Sequence, residues 1–199
     1  MLLAPHVRVV DDLFSTEFRD QLIETVSWIP MHFLNRWERF KSHELDMHWY
    51  YPLAFAEKPF EEDVEPKLLA LDDSLQVITS CWEQIKAHVG FPVRLYECML
   101  SANTFGTEGQ VHQDIVEEDH RVNHVTVLVY CSKEWNIAWA GETLFFDEQD
   151  EITSAVMPKP GRVVIAEGDP KHVGRSVSRI CPSDRRVLVF KFWRLDTVG

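Results

Sequence analysis

Residues 124–166 read HVTVLVYCSKEWNIAWAGETLFFDEQDEITSAVMPKPGRVVIA, and the fold is decided here. Short apolar runs at 125–131, 143–146, 152–156 and 163–166 are rich in Val, Ile, Thr and Phe, residues that suit a pleated surface. Ala140-Gly141 and Pro158-Lys159-Pro160-Gly161 punctuate them as turns. No run of helical length separates one strand from the next, so the strands pair antiparallel with near neighbours. The same character extends back to residues 93–100 and, past the turn Gly168-Asp169-Pro170, forward to residues 187–193. A sandwich or barrel follows. A jelly roll is one way to close such a set.

Before residue 90 the period changes. Phe14, Phe18, Leu22, Ile23 and Val26 recur at helical spacing behind Ser15 and Thr16, either of which can cap. Leu68, Leu69, Leu75, Ile78, Trp82 and Ile85 predict further helix, ending near Gly90-Phe91-Pro92. Residues 31–60 are aromatic without clear period and read as long loops carrying short helices or strands. The expected architecture is a single domain of the α+β class, mainly β, over residues 1–199. Residues 1–90 supply helical support and aromatic loops, residues 91–199 form the jelly-roll core, and the helices bury their apolar stripes on one sheet.

With 199 residues, 45% of them hydrophobic, the chain can bury a full core. A formal net charge of -12 argues against broad nucleic-acid binding and against an anionic membrane surface, both of which need a cationic face. Cys81, Cys98, Cys131 and Cys181 form no CxxC, so neither a disulfide framework nor a zinc knuckle is expected. The N-terminus shows no signal-peptide core, and no apolar run has spanning length. A reducing cytoplasm is the expected compartment. A monomer and a homodimer are both compatible with the sequence.

Three features carry chemistry. In His112-Gln113-Asp114, residues two apart point to one face if the segment is a strand, so an imidazole and a carboxylate can share one metal. A surface turn reads equally well from this segment alone. His172 follows a predicted strand and turn. Two His and one carboxylate on one face of a metal leave three positions open, which suits iron(II) oxygenases. Downstream, Arg185-Arg186 opens the strand Arg186-Val187-Leu188-Val189-Phe190-Lys191-Phe192-Trp193. An inward-facing arginine there needs a carboxylate partner, whereas a solvated strand start needs none.

Taken together these segments strongly resemble the prolyl-4-hydroxylase-like branch of the iron(II)/2-oxoglutarate dioxygenases, over roughly residues 93–194. The resemblance runs through Asn103 to Asp114 (strand, Gly-containing loop, HxD) and through residues 124–135 (a strand ending in Tyr, then a Trp). It continues in Ala140-Gly141-Glu142-Thr143-Leu144-Phe145-Phe146, close to GGET-x-F, and in Pro158-Lys159-Pro160-Gly161-Arg162, close to P-K-x-G-R. The distal His and the Arg follow in order. The family implies a cupin-like double-stranded β-helix core, iron(II) ligated by His112, Asp114 and His172, and 2-oxoglutarate and O₂ as co-substrates, with ascorbate a further candidate cofactor. It implies that an arginine meets the far carboxylate of 2-oxoglutarate, with Tyr130 as hydroxyl donor and Asn103 and Thr143 beside it. Arg186 is preferred to Arg185 because the strand then runs in phase with Arg186, Leu188 and Phe190 facing inward.

There are departures. Ala140 replaces a Gly. The His172–Arg186 interval is longer than in many relatives, which bears on the choice of arginine. The implied activity is hydroxylation, with succinate and CO₂ released, although desaturation and ring closure would use the same ligands. A small amino-acid-like molecule or a peptidyl residue such as proline is the expected substrate, with Arg121 and Trp139 as candidate contacts. The rival reading is a non-catalytic jelly-roll sensor that binds iron or 2-oxoglutarate.

Overall fold

A computed structural model of the chain describes residues 6–35 and 47–195. Their strands are β1 (Val7–Val10), β2 (His32–Asn35), β3 (Met47–Phe55), β4 (Val93–Asn103), β5 (His124–Tyr130), β6 (Thr143–Phe146), β7 (Ile152–Val156), β8 (Val163–Glu167), β9 (His172–Gly174) and β10 (Arg185–Arg194). The helices are α1 (Thr16–Ser27), α2 (Glu65–Leu69), α3 (Gln76–Val89) and the single turn α4 (Glu118–Arg121). A seven-stranded sheet runs β1-β8-β5-β10-β4-β3-β2 and a three-stranded sheet runs β7-β6-β9. All their pairings are antiparallel. His112 adds one further antiparallel bridge, to His172 at the free side of β9.

The large sheet is covered on both faces. On one side α1 and α3 deliver Leu22, Ile23, Val26, Ile78, Trp82 and Ile85 against Leu95, Leu100, Phe190 and Phe192. Trp82 is wholly buried with its ring 5.4 Å from that of Phe190. On the other side the small sheet presses Phe145 and Val156 against Leu128, Tyr130, Val164, Val187 and Val189. Burying each such side chain contributes roughly 1.5–3 kcal/mol, and together they fix the spacing of the two sheets. The helix ends follow local chemistry: Ser15 Oγ accepts from the Phe18 amide at 3.2 Å, and α3 stops at Gly90, whose φ of 72° is left-handed.

The strands at Thr143–Phe146 and Ile152–Val156 have the predicted bounds. The region before residue 90 carries more strand than helical support and aromatic loops alone. The first ninety residues also supply β1, β2 and β3, which extend the large sheet at both ends. Part of the reason lies in β3, where Pro52 offers no amide N–H and the register slips between Pro52 and Ala54. A bulge of that kind erases the alternation by which a strand is recognised. Among the described residues no helix is long and apolar enough to cross a membrane.

Candidate metal centre and carboxylate pocket

The HxD segment is not a regular strand. His112 is a single bridging residue and Asp114 lies in the bend that follows. Two hydrogen bonds hold the bridge, His112 N to His172 O at 3.0 Å and His172 N to His112 O at 2.9 Å. Paired residues of a bridge put their side chains on one side, and the two imidazole centroids lie 4.5 Å apart. His112 Nε2 is 3.7 Å from Asp114 Oδ1. One ligand atom from each of His112, Asp114 and His172 falls within 4.8 Å of the others. The three residues singled out in the sequence therefore converge.

Both rings are oriented from behind. His112 Nδ1 meets the Gln110 carbonyl at 2.9 Å and His172 Nδ1 meets the Pro170 carbonyl at 3.0 Å. A carbonyl only accepts, so Nδ1 carries the hydrogen and each Nε2 lone pair is free for a metal. Burial, reinforced by neighbouring His112, brings His172 down to about 4, so it is a neutral ligand at pH 7. Burial opposes charge on His112 as well, but the Asp114 carboxylate outweighs it and raises that imidazole. Burial also opposes the charge of Asp114, yet Lys191 and the two imidazoles hold its carboxyl well below the usual range. The set is one carboxylate and two imidazoles with orientation already fixed, and it fits a divalent metal of the iron type.

The carboxylate of Asp114 is gripped on both oxygens. Thr126 Oγ1 donates to Oδ2 at 2.8 Å, and Lys191 Nζ donates to Oδ1 at 2.7 Å. Lys191 also lies 3.6 Å from Glu97. The sequence reading missed Lys191. Its signal was a lone cation inside the apolar run of residues 187–193, which only a buried carboxylate would tolerate.

At the other end of β10, Arg185 is buried in the interior between the sheets. It donates from Nε to Gly141 O at 2.6 Å, from one terminal nitrogen to Asn103 Oδ1 at 3.1 Å and from the other to Thr143 Oγ1 at 2.6 Å. Its guanidinium lies 5.2 Å from the centre of the Tyr130 ring, and Tyr130 Oη is 2.6 Å from Thr143 Oγ1. Asn103, Tyr130 and Thr143 thus surround one arginine, as the resemblance implied, but the arginine is not the expected one. Among the described residues no carboxylate lies within ion-pair distance of Arg185, and burial pulls its pKa down. An interior guanidinium with only neutral partners is a site made for an anion.

Arg186 faces the opposite way, and the preference for it is corrected. It donates to the carbonyls of Val26 at 2.6 Å and Ser27 at 3.2 Å, at the end of α1, and pairs with Asp184 at 2.8 Å. The expected inward phase was inverted. Leu188, Phe190 and Phe192 pack under the helices, while Val187 and Val189 face the small sheet. Arg121, the other candidate contact, has its guanidinium on the carbonyls of Ile115 at 2.8 Å and Val116 at 3.3 Å, clamping the segment after HxD. Trp139 packs edge-on to Trp135, which lies against Gly141 at the Arg185 end of the interior.

The two clusters are one step apart along the small sheet. Phe145 of β6 pairs with His172, and Thr143, two residues earlier, pairs with Gly174. At ~3.4 Å per residue that is roughly 7 Å. Gly174 keeps the space open, since a Cβ there would come within 3.3 Å of an Arg185 nitrogen and 3.5 Å of Asn103 Oδ1.

Comparisons with known proteins agree with this geometry. The pattern of the 2OG-Fe(II) oxygenase superfamily matches residues 98–194. The fold resembles a Trichoplax adhaerens prolyl hydroxylase solved with a hypoxia inducible factor oxygen degradation domain peptide fragment. That likeness has a TM-score of 0.70 at 11% identity and covers 95% of this chain and 84% of that one. A Burkholderia pseudomallei oxidoreductase of the 2OG-Fe(II) oxygenase family matches at TM-score 0.70 and 11% identity, over 96% and 86% of the two chains. HygX from Streptomyces hygroscopicus, solved with nickel and 2-oxoglutarate, matches at TM-score 0.62 and 12% identity, over 95% and 83%. No curated protein matches the chain.

Proposed function

We propose that this chain, whose residues 98–194 match the 2OG-Fe(II) oxygenase superfamily, is a hydroxylase using iron(II) at His112, Asp114 and His172 and 2-oxoglutarate anchored on Arg185. Its substrate is a small amino-acid-like molecule or a peptidyl residue such as proline. Iron with 2-oxoglutarate and O₂ supplies the oxidising chemistry, with succinate and CO₂ as the products of the co-substrate.

The observation that carries this reading is the buried arginine with no carboxylate beside it among the described residues, one sheet step from two imidazoles and an aspartate. That separation suits a short dicarboxylate with one end on the guanidinium and the other at the metal. Thr143 and Asn103 hold the guanidinium plane, so its donors are aimed before the ligand arrives. The ring of Tyr130 covers one face of the guanidinium and keeps water off it. His112 and His172 offer Nε2, Asp114 offers a charged oxygen, and Thr126 keeps that carboxylate from rotating. The same fold is found with a peptide fragment in the Trichoplax prolyl hydroxylase and with hygromycin B in HygX, so both substrate classes are carried into the test.

The test is anaerobic addition of iron(II) and then 2-oxoglutarate to metal-free protein, followed by O₂ with candidate amino acids and prolyl peptides. A visible charge-transfer band requiring both components, lost in His172→Ala and Arg185→Met, is expected. Succinate release that rises with one substrate class then identifies it. Iron binding without the band would sink the 2-oxoglutarate assignment, and a band without succinate under any substrate would favour a sensor.

A further inference from the structure

Asp169 lies on the turn between β8 and β9, three residues before His172, and is buried with only 2% of its surface exposed. Its φ is 54°, in the left-handed region that a non-glycine residue adopts at a cost. One carboxylate oxygen accepts the Asp114 amide at 2.8 Å and the other the Ile115 amide at 2.9 Å. Its main-chain carbonyl accepts Gln113 Nε2 at 2.8 Å. A single residue thus holds three consecutive residues of the HxD turn, while the chain three positions on delivers the distal histidine.

Support continues behind it. His124, fully buried, sets Nδ1 3.4 Å from Asp169 Oδ1 and Nε2 2.7 Å from Tyr96 Oη. Arg121 Nε lies 3.8 Å from the other Asp169 oxygen. Asp114, His124 and Asp169 lie close enough to be read as a second cation site. Both Asp169 oxygens, however, already accept backbone N–H groups, and Arg121 supplies the positive charge. The group is a brace.

We propose that Asp169 is the positioning residue of the metal centre: it ties the turn bearing Asp114 to the strand bearing His172, so that the triad is assembled before metal arrives. This rests on the reading of His112, Asp114 and His172 as the metal site. Groups that orient ligands from behind commonly change metal affinity by about 10–100-fold when removed. Asp169→Ala loses both amide acceptors. Asp169→Asn keeps one acceptor oxygen and turns an NH₂ toward the other amide.

The experiment is Mn(II) binding to metal-free wild-type protein, Asp169→Asn and Asp169→Ala, followed by calorimetry below the melting temperature of each, with thermal midpoints recorded separately. The expected result is a rise in the Mn(II) dissociation constant of roughly tenfold or more in Asp169→Asn and more in Asp169→Ala. If Asp169→Ala does not fold, Asp169→Asn decides alone. A residue that merely stabilises the fold would lower the midpoint and leave the affinity of the folded protein unchanged. Variants binding Mn(II) within about twofold of a tight-binding wild type would therefore overturn the proposal and leave the metal site standing. A wild type that does not bind Mn(II) would overturn both.

Discussion

Arg185 and Arg186 open the same strand, and both are drawn out of water, but they look in opposite directions. Arg185 turns with Lys191 toward the small sheet, where one meets only neutral partners and the other meets Asp114. Arg186 turns with Phe190 and Phe192 toward the helices and spends its donors on the end of α1. The inner face holds charge that is arranged for ligands. The outer face holds apolar bulk and one cap. A strand buried on both sides can thus carry binding chemistry on one face and stability on the other, and substitutions on the two faces should separate cleanly.

The largest effects should come from breaking each face at its most buried point. Phe190→Ala should lower stability by about 3–5 kcal/mol, while Mn(II) and 2-oxoglutarate affinities of the folded protein stay unchanged. Lys191→Met should cost about as much in the metal-free protein, because a buried carboxylate loses its charged partner. Saturating Mn(II) should restore much of the Lys191→Met loss by supplying positive charge, and little of the Phe190→Ala loss. Chemical denaturation with and without Mn(II) measures both, and equal rescue of the two variants would erase the distinction between the faces.

The arginines sharpen the same comparison. Arg185→Met should weaken 2-oxoglutarate binding by roughly 100-fold, the equivalent of losing a charge-assisted pair, with Mn(II) affinity kept. Arg186→Ala should leave 2-oxoglutarate affinity unchanged and cost about 1 kcal/mol of stability through the lost carbonyl contacts. Titrations of 2-oxoglutarate into the Mn(II)-loaded variants decide between them. The reverse pattern would restore Arg186 as the anchor.

What the sequence could and could not show follows from where partners lie. Asn103, Tyr130 and Thr143 could be singled out because each sits inside a short motif of the resemblance, although β10 separates β4 from β5 and β6 belongs to the other sheet. The choice between the arginines was not legible, because both faces of β10 are buried and an apolar run that is dry on both sides carries no phase. Lys191 and Asp169 were missed for a related reason: their partners lie 77 and 55 residues away, and only the folded register brings them together. The carbonyl contacts of Arg121 were not legible either, because only the folded bend leaves those carbonyls beside its guanidinium. The strands before residue 90 were obscured by Pro52 and its bulge and by the brevity of β1 and β2.

The pH dependence of metal binding should report the two histidines separately. His112 has a raised pKa, held up by Asp114 against burial, so it is the first of the two to take up a proton that metal must displace as pH falls, and affinity falls with it. His172, at about 4, is already neutral there and adds nothing until the pH approaches 4. The logarithm of the Mn(II) affinity should therefore lose about one unit per pH unit below the His112 pKa, steepening toward two near the His172 value. A slope of two throughout would mean that His172 is not held neutral by its surroundings.

The smallest effect concerns the hydroxyl of Tyr130. Its ring is fully buried beneath Arg185, and its hydroxyl shares a short hydrogen bond with Thr143, which is itself bonded to the guanidinium. If the hydroxyl donates to the ligand carboxylate, Tyr130→Phe should weaken 2-oxoglutarate binding about tenfold, less than the loss of Arg185, because one donor is lost and the charge remains. Stability should fall by about 1 kcal/mol at most, since the ring and its packing are kept. Thr143→Val removes the shared bond and also an acceptor of Arg185, so it should weaken 2-oxoglutarate binding more than Tyr130→Phe does. A tyrosine that serves only the packing of the inner face would give Tyr130→Phe an unchanged dissociation constant. The inner face would then bind its anion through the arginine and Asn103 alone.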